Sequence, residues 1–543
     1  MTCADNFKFG IIYWPQIESI LTTGDGLVNV IEVEPQSFWY KTQSEEEPYR
    51  IDWDIIERLK TFPQPKIIHG VGFPVGGSRP PDPRQLQPLL QVRDALEAPW
   101  ISEHLSFNQA QGKRGLFNTG FFLPPLQTVH GVDAAAATIR QIAARLPVPF
   151  AFETGVNYLR PRPGELSDGA FMGAIAREAD CGILLDLHNL WANQLNGRQP
   201  VKDFLAEIPL DRVWEVHLAG GFERDGYWLD AHSGEIPAPL FELAVQIIPT
   251  LPNLRAIIFE ILPMFVPQTG LDVVRTQLEK MHTLWSRRRQ AIPDTQGCVS
   301  VAGGRMPGTA DTQATARTAE GRAMQEHTAT LPRRSQAKGS VSATTNASIV
   351  APQMANPMAN VHDKITPAQW EDALAALVIG HAPQTPLSRE LDQDPGVHIL
   401  RALASEFRAG MVVDALKLTS RLILLTRGEA IFRQLLNDFW KAFPPQPFES
   451  VEAEAFAVYL TDCRLDIPYL DEVLAFERAL IQALVAQENR LVQFRHDPLP
   501  LLQALREGRL PESVAIGNYE IEITSGPDHN HNNQTHRNPQ DQG

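Results

Sequence analysis

The chain has 543 residues, a formal net charge of −16 and 43% apolar residues. This length predicts two or three folded units, and the apolar content is sufficient for hydrophobic cores. The negative charge argues against general nucleic-acid binding, which needs basic patches. The four cysteines are scattered and form no CxxC pair. We therefore expect a reducing compartment, without a disulfide framework or a zinc–thiolate site. The N-terminus has no signal-peptide pattern and no stretch is long enough to cross a membrane, so we expect a cytoplasmic protein that does not bind membranes.

Eight short apolar runs lie in the first half of the chain and predict β-strands. They are Phe9 to Ile12, Val28 to Val33, Lys66 to His69, Trp100 to Glu103, Phe150 to Glu153, Ile183 to Asp186, Val213 to His217 and Ala256 to Glu260. Segments with helical patterning, such as 133–146 and 239–251, lie between them. Eight strands alternating with helices over roughly 250 residues are typical of a (β/α)8 TIM barrel. A doubly wound open sheet is the alternative, although no GxGxxG follows the first strand.

The composition changes after the eighth strand and divides the chain. We assign residues 1–285 to the barrel and residues 286–362, rich in Ala, Thr, Gly, Gln and Arg, to a flexible linker. Thr366-Pro367-Ala368-Gln369 has a capping-box pattern, which predicts the start of a helix. The third unit, 363–523, is expected to be mostly α-helical, with two short strands near its end. Residues 524–543 are predicted to form a disordered polar tail.

Histidines and carboxylates recur where the predicted barrel strands end. They are His69, His104, Glu153, Asp186, His217 and Glu260, followed by Asp230 and His232 in the loop after strand seven. Because the carboxyl ends of barrel strands converge on one face, these side chains are expected to share a pocket. So many carboxylates would repel one another unless cations were bound. Imidazole and carboxylate without thiolate suit iron, manganese or zinc, and the number of ligands implies two or three ions.

These residues lie in motifs that resemble those of the DUF692 (UPF0276) family, the multinuclear non-haem iron-dependent oxidative enzymes. The matching segments are HGVGFPVGGS, SEHLSF, ETGVNYL, LLDLHNLWANQLN, EVHLAGG, DAHSGEIP and the strand ending at Glu260. The resemblance covers about residues 7 to 285 and implies a TIM barrel related to xylose-isomerase-like enzymes. It also implies two or three iron ions in a mixed Fe(II)/Fe(III) state, with O2 as co-substrate.

The resemblance carries the family's ligand positions onto this chain. They fall on His69, His104, Glu153, Asp186, Asn189, His217, Asp230, His232 and Glu260, with Glu153 as the bridging carboxylate. Asp230, His232 and Asn157 are the expected catalytic residues, although a loop-packing role is equally open for Asn157. The chain departs from the family pattern at several positions, which are Thr154, His188, Gly221, Ser233 and Ile261-Leu262. Whether His188 is a ligand is left open.

In the helical region, the segments IPYLDEVLAFERAL (467–480) and FRQLLNDFWKAFPPQPFESVEAEAFAVYL (432–460) resemble the DUF2063-like proteins that accompany such enzymes. The resemblance implies that the chain fuses an enzyme to its peptide-recruiting partner. We therefore predict O2-dependent oxidative modification of a ribosomally synthesised precursor peptide. The alternatives are a xylose-isomerase-like metal-dependent isomerase or hydrolase, and a non-catalytic peptide- or metal-binding protein. A homodimer is possible.

Overall fold

The computed structural model describes residues 7–42, 44–113, 115–291, 365–524 and 536–537. The first part of the chain contains fourteen strands and ten α-helices. The strands are β1 (Phe9–Ile12), β2 (Val30–Val33), β3 (Trp39–Lys41), β4 (Tyr49–Ile51), β5 (Lys66–Gly70), β6 (Ile101–His104), β7 (Phe107–Gly112), β8 (Gly115–Leu123), β9 (Phe150–Glu153), β10 (Gly182–Asp186), β11 (Val213–Ala219), β12 (Phe222–Arg224), β13 (Tyr227–Leu229) and β14 (Ala256–Glu260). The helices are α1 (Glu18–Leu21), α2 (Trp53–Thr61), α3 (Leu86–Leu96), α4 (Val129–Ala143), α5 (Asp168–Ala179), α6 (Leu187–Leu195), α7 (Val201–Glu207), α8 (Ala238–Ile247), α9 (Val266–Thr269) and α10 (Leu271–Ala291).

Eight parallel strands close into a barrel in the order β1-β2-β5-β6-β9-β10-β11-β14. Each of these strands pairs with its neighbours in chain order, and β14 returns to β1 through Phe9 and Ile257. The predicted TIM barrel is confirmed, and the eight observed strands differ from the predicted ones by two residues or fewer at each end. The strands are apolar and buried along their lengths because helices cover the outside and side chains fill the inside.

Apolar and polar residues segregate along the barrel axis. A buried cluster that includes Val30, Ile67 and Ala256 gathers near the amino ends of the strands. The carboxyl ends instead carry the buried polar residues His69, Glu153 and others. The interior is therefore packed at one end and polar at the other, where barrel active sites form.

Three antiparallel hairpins, β3-β4, β7-β8 and β12-β13, extend from the loops at the carboxyl ends of the barrel strands. Their strands are short or lack a regular apolar alternation, so the sequence pattern does not predict them. The longest hairpin, β7-β8, turns through Gly112 and Gly115, and Gly115 has a φ of 115° that a side chain would disfavour. This hairpin forms part of the surface on which the helical region packs.

The helical region contains seven helices and three paired strands among the residues described. The helices are α11 (Pro367–Val378), α12 (Pro386–Leu391), α13 (Pro395–Ala415), α14 (Lys417–Ala442), α15 (Glu449–Cys463), α16 (Leu470–Ala486) and α17 (Pro498–Arg506). Strands β15 (Arg490–His496) and β16 (Ile516–Ile523) are antiparallel, and β17 (His536–Arg537) pairs with β16. The capping box at Thr366 and Gln369 is present as predicted. The mostly helical fold of this region is confirmed.

Two apolar cores divide the helical region. One joins α11–α13 to the barrel, because Trp370, Leu374 and Leu400 share a buried cluster with Phe107 and Tyr158. The other lies within α14–α17 and the paired strands. The first three helices are thus built into the barrel surface rather than forming a separable unit.

The predicted domain boundaries stay predictions. Helix α10 continues to Ala291, beyond the expected start of the linker at residue 286, and the rest of that linker up to residue 362 lies outside the described residues. Of the predicted tail, 524–543, only residue 524 and β17 are described.

Candidate metal centre

Eight of the predicted ligands lie close together at the carboxyl ends of the barrel strands. Three groups of them each place their ligand atoms within 4.8 Å of one another. These groups are His69, His104 and Glu153; Glu153, Asp186, His217 and Glu260; and Asp186, Asp230 and His232. We refer to the eight residues together as the histidine–carboxylate cluster. Glu153 and Asp186 each belong to two groups, so the cluster is continuous.

Glu153 lies at the centre of the cluster. Its Oε2 contacts His104 Nδ1 closely and lies 3.3 Å from His69 Nε2. Its Oε1 lies 3.8 Å from His217 Nδ1. One carboxylate thus faces three histidines from three different strands, which is the arrangement expected of a bridging ligand.

Hydrogen bonds behind the cluster fix which nitrogen of two histidines faces inward. The Ser102 hydroxyl donates to the carbonyl of Ile68 and so accepts from His69 Nδ1 at 3.0 Å, which leaves the lone pair of His69 on Nε2. The Glu32 carboxylate accepts from His217 Nε2 at 3.1 Å, which leaves the lone pair of His217 on Nδ1. Metal-binding histidines are commonly oriented in this way by a partner on the second nitrogen.

Asp186 and Asn189 are positioned by the start of α6. Asp186 is the N-cap, and its Oδ1 accepts from the backbone N–H of Asn189 at 2.9 Å. This bond uses Oδ1, so Oδ2 of Asp186 is available as a ligand atom. Thr154, one of the departures from the family pattern, accepts from the backbone N–H of Asp186 through its hydroxyl and from the Asn189 amide through its carbonyl. Thr154 therefore supports two predicted ligands.

Burial raises the pKa of every carboxylate in the cluster, but facing histidines outweigh it for Glu153, Asp230 and Glu260 and lower their pKa values, so the charge of Asp186 is the one left uncompensated. Burial, reinforced by Asp230 and Glu260, raises the pKa of Asp186 well above its ordinary value. Burial alone would lower the pKa of His104, but Glu153 outweighs it and raises that pKa to about 9. Like-charge repulsion between buried carboxylates is the effect that a bound cation removes.

Unpaired polar atoms test whether the residues fit a metal. Among the buried side-chain atoms that make no hydrogen bond within the described residues, seven belong to the predicted ligands. They are His69 Nε2, Glu153 Oε2, Asp186 Oδ2, Asn189 Oδ1, His217 Nδ1, His232 Nε2 and Glu260 Oε2. An unpaired buried polar atom is costly, and seven in one place indicate a missing common partner. The nitrogen and oxygen donors, without sulfur, fit iron, manganese or zinc.

His232 adopts a strained backbone conformation. Its φ is 46°, in the left-handed region that a residue with a Cβ rarely adopts, and its carbonyl accepts from Leu262 at 3.1 Å. Its Nε2 lies 2.9 Å from Asp230 Oδ1 and 3.6 Å from Glu260 Oε2. Such strain is common at functional sites, and here it holds the imidazole against two carboxylates.

His188 lies beside the cluster and contacts one of its members. Its Nδ1 lies 3.1 Å from Asp230 Oδ1, and its Nε2 accepts from the Trp228 indole at 3.0 Å. Both ring nitrogens are engaged, so the structure favours an orienting role over a ligand role for His188. A Cβ placed on Gly221 would lie 2.7 Å from both His188 Nε2 and Trp228 Nε1. His188 and Gly221, two of the departures from the family pattern, therefore lie next to each other in the structure.

Asn157 lies in the wall of the adjoining cavity but is held by backbone contacts. Its side-chain oxygen accepts from Leu159 N at 3.0 Å, and its N–H donates to Asn193 Oδ1 at 2.8 Å. These bonds favour the loop-packing interpretation, and its expected catalytic role stays a prediction. The neighbouring Tyr158 hydroxyl accepts from Asp230 N at 3.0 Å and so supports the loop that carries Asp230.

Two buried carboxylates near His217 were missed from the sequence. Glu32 and Glu215 lie on β2 and β11, and both are fully buried. Glu215 Oε2 accepts from the Trp100 indole at 3.0 Å, and its Oε1 lies 3.7 Å from His217 Nε2. A charged residue inside a strand that is otherwise apolar, as in Val30–Val33, was the available signal.

A cavity of about 1980 Å³ opens from the cluster and extends along the helical region. We call it the central cavity. On the barrel side its lining includes His104, Glu153, Asp230, His232 and Glu260. On the helical side it includes residues of α13, the loop 444–450 and α16. Typical small-molecule pockets have volumes of roughly 300–1,000 Å³, so the central cavity exceeds what a small ligand needs.

The helical region is joined to the barrel by buried polar contacts as well as by the shared core. Glu371, which is 2% exposed, accepts from the Ser78 hydroxyl and from Arg79 Nη1, each at 2.8 Å. The Trp370 indole donates to the carbonyl of Pro124 at 2.9 Å. Burial raises the pKa of Glu371, and its hydrogen-bond donors oppose that shift. These contacts fix the helical wall of the central cavity relative to the barrel.

Comparison with known proteins agrees with the motifs. Residues 9–265 match the family model described as the RiPP precursor modification enzyme MbnB/TglH/ChrH. A UPF0276 protein of Neisseria meningitidis serogroup C is 32% identical over 203 residues, which cover 36% of this chain and 69% of that protein. The chain belongs to the UPF0276 family. The family model describes enzymes that modify RiPP precursors, so membership indicates an enzyme whose substrate class is a precursor peptide.

A second relative extends the match past the barrel. A UPF0276 protein of Streptomyces avermitilis is 29% identical over 411 residues, which cover 70% of this chain and 83% of that protein. The residues up to Ala291 make up only about half of the chain, which is less than the 70% that the match covers. The similarity therefore includes sequence beyond α10.

Solved structures of sugar epimerases are also similar. The 3-keto-D-glucoside 4-epimerase YcjR from E. coli has a TM-score of 0.31 and 14% identity, and covers 51% of this chain and 99% of its own. An L-ribulose 3-epimerase has a TM-score of 0.32 and 15% identity, and the match covers 52% of this chain and 97% of that one.

None of the helices in the described part of the chain is long and apolar enough to span a membrane.

Proposed function

We propose that the protein is a multinuclear non-haem iron enzyme that uses O2 to modify a ribosomally synthesised precursor peptide oxidatively. The observation that carries this proposal is the group of seven buried ligand atoms without hydrogen bonds, which lies where the central cavity of about 1980 Å³ meets the ends of the barrel strands. Membership of a family of RiPP precursor modification enzymes supports the substrate class.

The histidine–carboxylate cluster, with Asn189, would hold two or three irons. Iron bound there would supply the binding and activation of O2 and the oxidising capacity for the peptide. Glu153 would bridge two ions, because it belongs to two of the groups in the cluster. The deeper ligands, His69, Asp186 and His217, are almost fully enclosed, which excludes water from that side.

Substrate would approach from the central cavity, where the ligands are partly accessible. The side chains of His104, Asp230 and His232 are 23%, 17% and 19% exposed, and all three line the cavity. Glu34 also lines it, and burial raises its pKa to about 7. A carboxyl group with that pKa can take up or release a proton near neutral pH, which suits it to accept a proton from the peptide.

The helical region would hold the peptide. Phe407 on α13 lines the central cavity, is 52% exposed and stacks edge-on against Phe121 of the β7-β8 hairpin at 6.2 Å between ring centroids. Arg224 of β12 pairs with Glu406 of α13 at 2.7 Å across the same opening. An exposed aromatic ring between the two units offers apolar area for a peptide side chain.

The catalytic proposal is tested with the full chain purified anaerobically and loaded with Fe(II). Short peptides encoded beside the gene are added with O2, and their masses are followed. We expect a mass change that requires iron and O2 together and that is lost in His217→Ala. The proposal would be contradicted if none of these peptides stimulated O2 consumption by the iron-loaded protein and every peptide kept its original mass.

The recruiting role is tested by a pair of variants in the helical region. Phe407→Ala removes an exposed ring in the central cavity, whereas Ile431→Ala removes an exposed side chain, 41% accessible, that does not line it. We expect KM for the peptide to rise in Phe407→Ala alone, with kcat little changed. Equal KM values in both variants and the wild type would argue against this surface.

A further inference from the structure

A chain of hydrogen bonds leads from the histidine–carboxylate cluster to a pair of tryptophans. Asp230 Oδ1 and His188 Nδ1 are 3.1 Å apart, and His188 Nε2 and Trp228 Nε1 are 3.0 Å apart. The Trp228 ring lies edge-on to Trp191, with 4.9 Å between ring centroids. We call Asp230, His188 and Trp228 the Trp228 relay.

The direction of each hydrogen bond in the relay follows from the chemistry of its members. An indole N–H only donates, so His188 Nε2 must be the acceptor and carry a lone pair. The ring proton of neutral His188 is then on Nδ1, from which it donates to the Asp230 carboxylate. His188 is fully buried, so water does not compete for either bond. The three side chains therefore form one polarised chain that ends at a predicted metal ligand.

The backbone at Gly221 and at Trp228 leaves space for the relay and holds the indole in place. A Cβ on Gly221 would lie 2.4 Å from the carbonyl oxygen of Leu229 and 2.7 Å from both bonded nitrogens, so only glycine leaves room for β13 and for the His188–Trp228 contact. The Trp228 backbone is held in place on both sides, since its N–H donates to Asn196 Oδ1 at 2.8 Å and its carbonyl accepts from Asn196 Nδ2 at 3.0 Å. The His188–Trp228 contact is therefore held by the backbone of the indole on one side and by the space left at Gly221 on the other.

We propose that Trp228 is a one-electron donor to the metal centre, coupled to it through His188 and Asp230, and that it acts when O2 is consumed without peptide. This inference rests on the proposed iron- and O2-dependent function. The Trp228 indole gives one electron to the oxidised iron centre and its Nε1 proton to His188 Nε2. The iron centre is thereby reduced by one electron, and a neutral indolyl radical faces an imidazolium that is paired with Asp230. A thiol or ascorbate-type reductant restores the indole by returning one electron, while His188 returns the proton.

The relay protects the site because an oxidised centre without substrate otherwise attacks its own ligands. Without an external reductant, O2 traps the indolyl radical, and Trp228 gains the mass of one or two oxygen atoms. This outcome is specific to the relay, since a tryptophan with only a packing role has no reason to be oxidised before its neighbours.

The experiment uses the full-length protein loaded anaerobically with Fe(II) and mixed with O2 in the absence of peptide. Rapid freezing and EPR detect a tryptophan radical, and peptide mapping by mass spectrometry locates oxidised residues. We expect a transient radical and oxygen incorporation at Trp228 in the wild type, both lost in Trp228→Phe. Gly221→Ala keeps the indole but displaces the hydrogen bond, and we expect the same loss of radical. Trp14→Phe is the control, because Trp14 lines the central cavity near the cluster but donates to the carbonyl of Ile261 rather than to a histidine.

The outcomes separate this inference from the proposed function. The relay alone would be overturned by either of two results in protein that binds iron and takes up O2. One is an unchanged radical in Trp228→Phe, and the other is no oxidation of Trp228 in the wild type. Failure to bind iron, or to take up O2 when loaded, would overturn the relay together with the proposed function. Iron content measured in every variant shows that loss of the radical is not loss of metal.

Discussion

The carboxylate of Glu32 provides a sharp test of how the centre is built, because it lies behind a ligand. Its Oε2 accepts the Nε2 proton of His217 at 3.1 Å, and the side chain is fully buried. Glu32→Gln preserves the shape but removes the negative charge that orients His217 and raises its basicity. Loss of such a supporting partner typically costs about 10–100-fold in metal affinity. That range corresponds to about 1.4–2.7 kcal/mol.

The assay is a competition titration of the anaerobic protein with Fe(II) and a coloured chelator. Glu215→Gln is the matched control, because Glu215 is equally buried but its Oε1 lies 3.7 Å from His217 Nε2, beyond hydrogen-bond distance. A glutamine at 215 can still accept from Trp100. We expect Glu32→Gln to weaken Fe(II) binding and Glu215→Gln to change it little. Equal affinities for the wild type and Glu32→Gln would refute the orientation argument.

Three further predictions concern other parts of the chain. Glu371→Ala should destabilise the folded protein by about 1–3 kcal/mol in urea unfolding, because Ser78 and Arg79 lose a buried acceptor while Arg79 retains Asp372, and an unchanged stability would contradict this. Glu34→Gln should stabilise the metal-free protein more at pH 8 than at pH 5. Burial raises the pKa of Glu34 to about 7, so the folded state keeps a proton that the unfolded state releases. The wild type therefore loses up to roughly 3 kcal/mol of stability as the pH rises from about 4.5 to 7. Thermal unfolding at both pH values checks it, and a difference independent of pH would be the opposing result. Deletion of residues 365–543 should lower the melting temperature of the barrel, because it exposes the core shared with Phe107; an unchanged melting temperature would show that the barrel folds independently.

The barrel was predictable because its sequence signals are local and repeated. Short apolar runs that end in a polar residue mark buried parallel strands, and the eight strands agree with the structure within two residues. The site could be predicted for the same reason: His69, Glu153 and His217 each stand at the end of such a run. The topology of the fold then brings together residues that are far apart in sequence.

Other features depend on tertiary contacts that no local pattern reveals. Glu32 lies within its strand rather than at its end, and its role appears only when His217 is placed opposite it. The relation between His188 and Gly221 is likewise spatial, since a loop after β11 meets the start of α6. The integration of α11–α13 into the barrel surface was also missed, because amphipathic helices give no indication of which apolar surface they cover.

The central claim is that the histidine–carboxylate cluster binds several irons, and the metal content of the protein tests it most directly. The full chain is purified without air, and its metals are measured by elemental analysis with Mössbauer spectroscopy. We predict two or three irons per chain, some of them ferric and magnetically coupled, and a loss of iron in His217→Ala. A single zinc or manganese per chain, with no iron bound after anaerobic loading, would contradict the account.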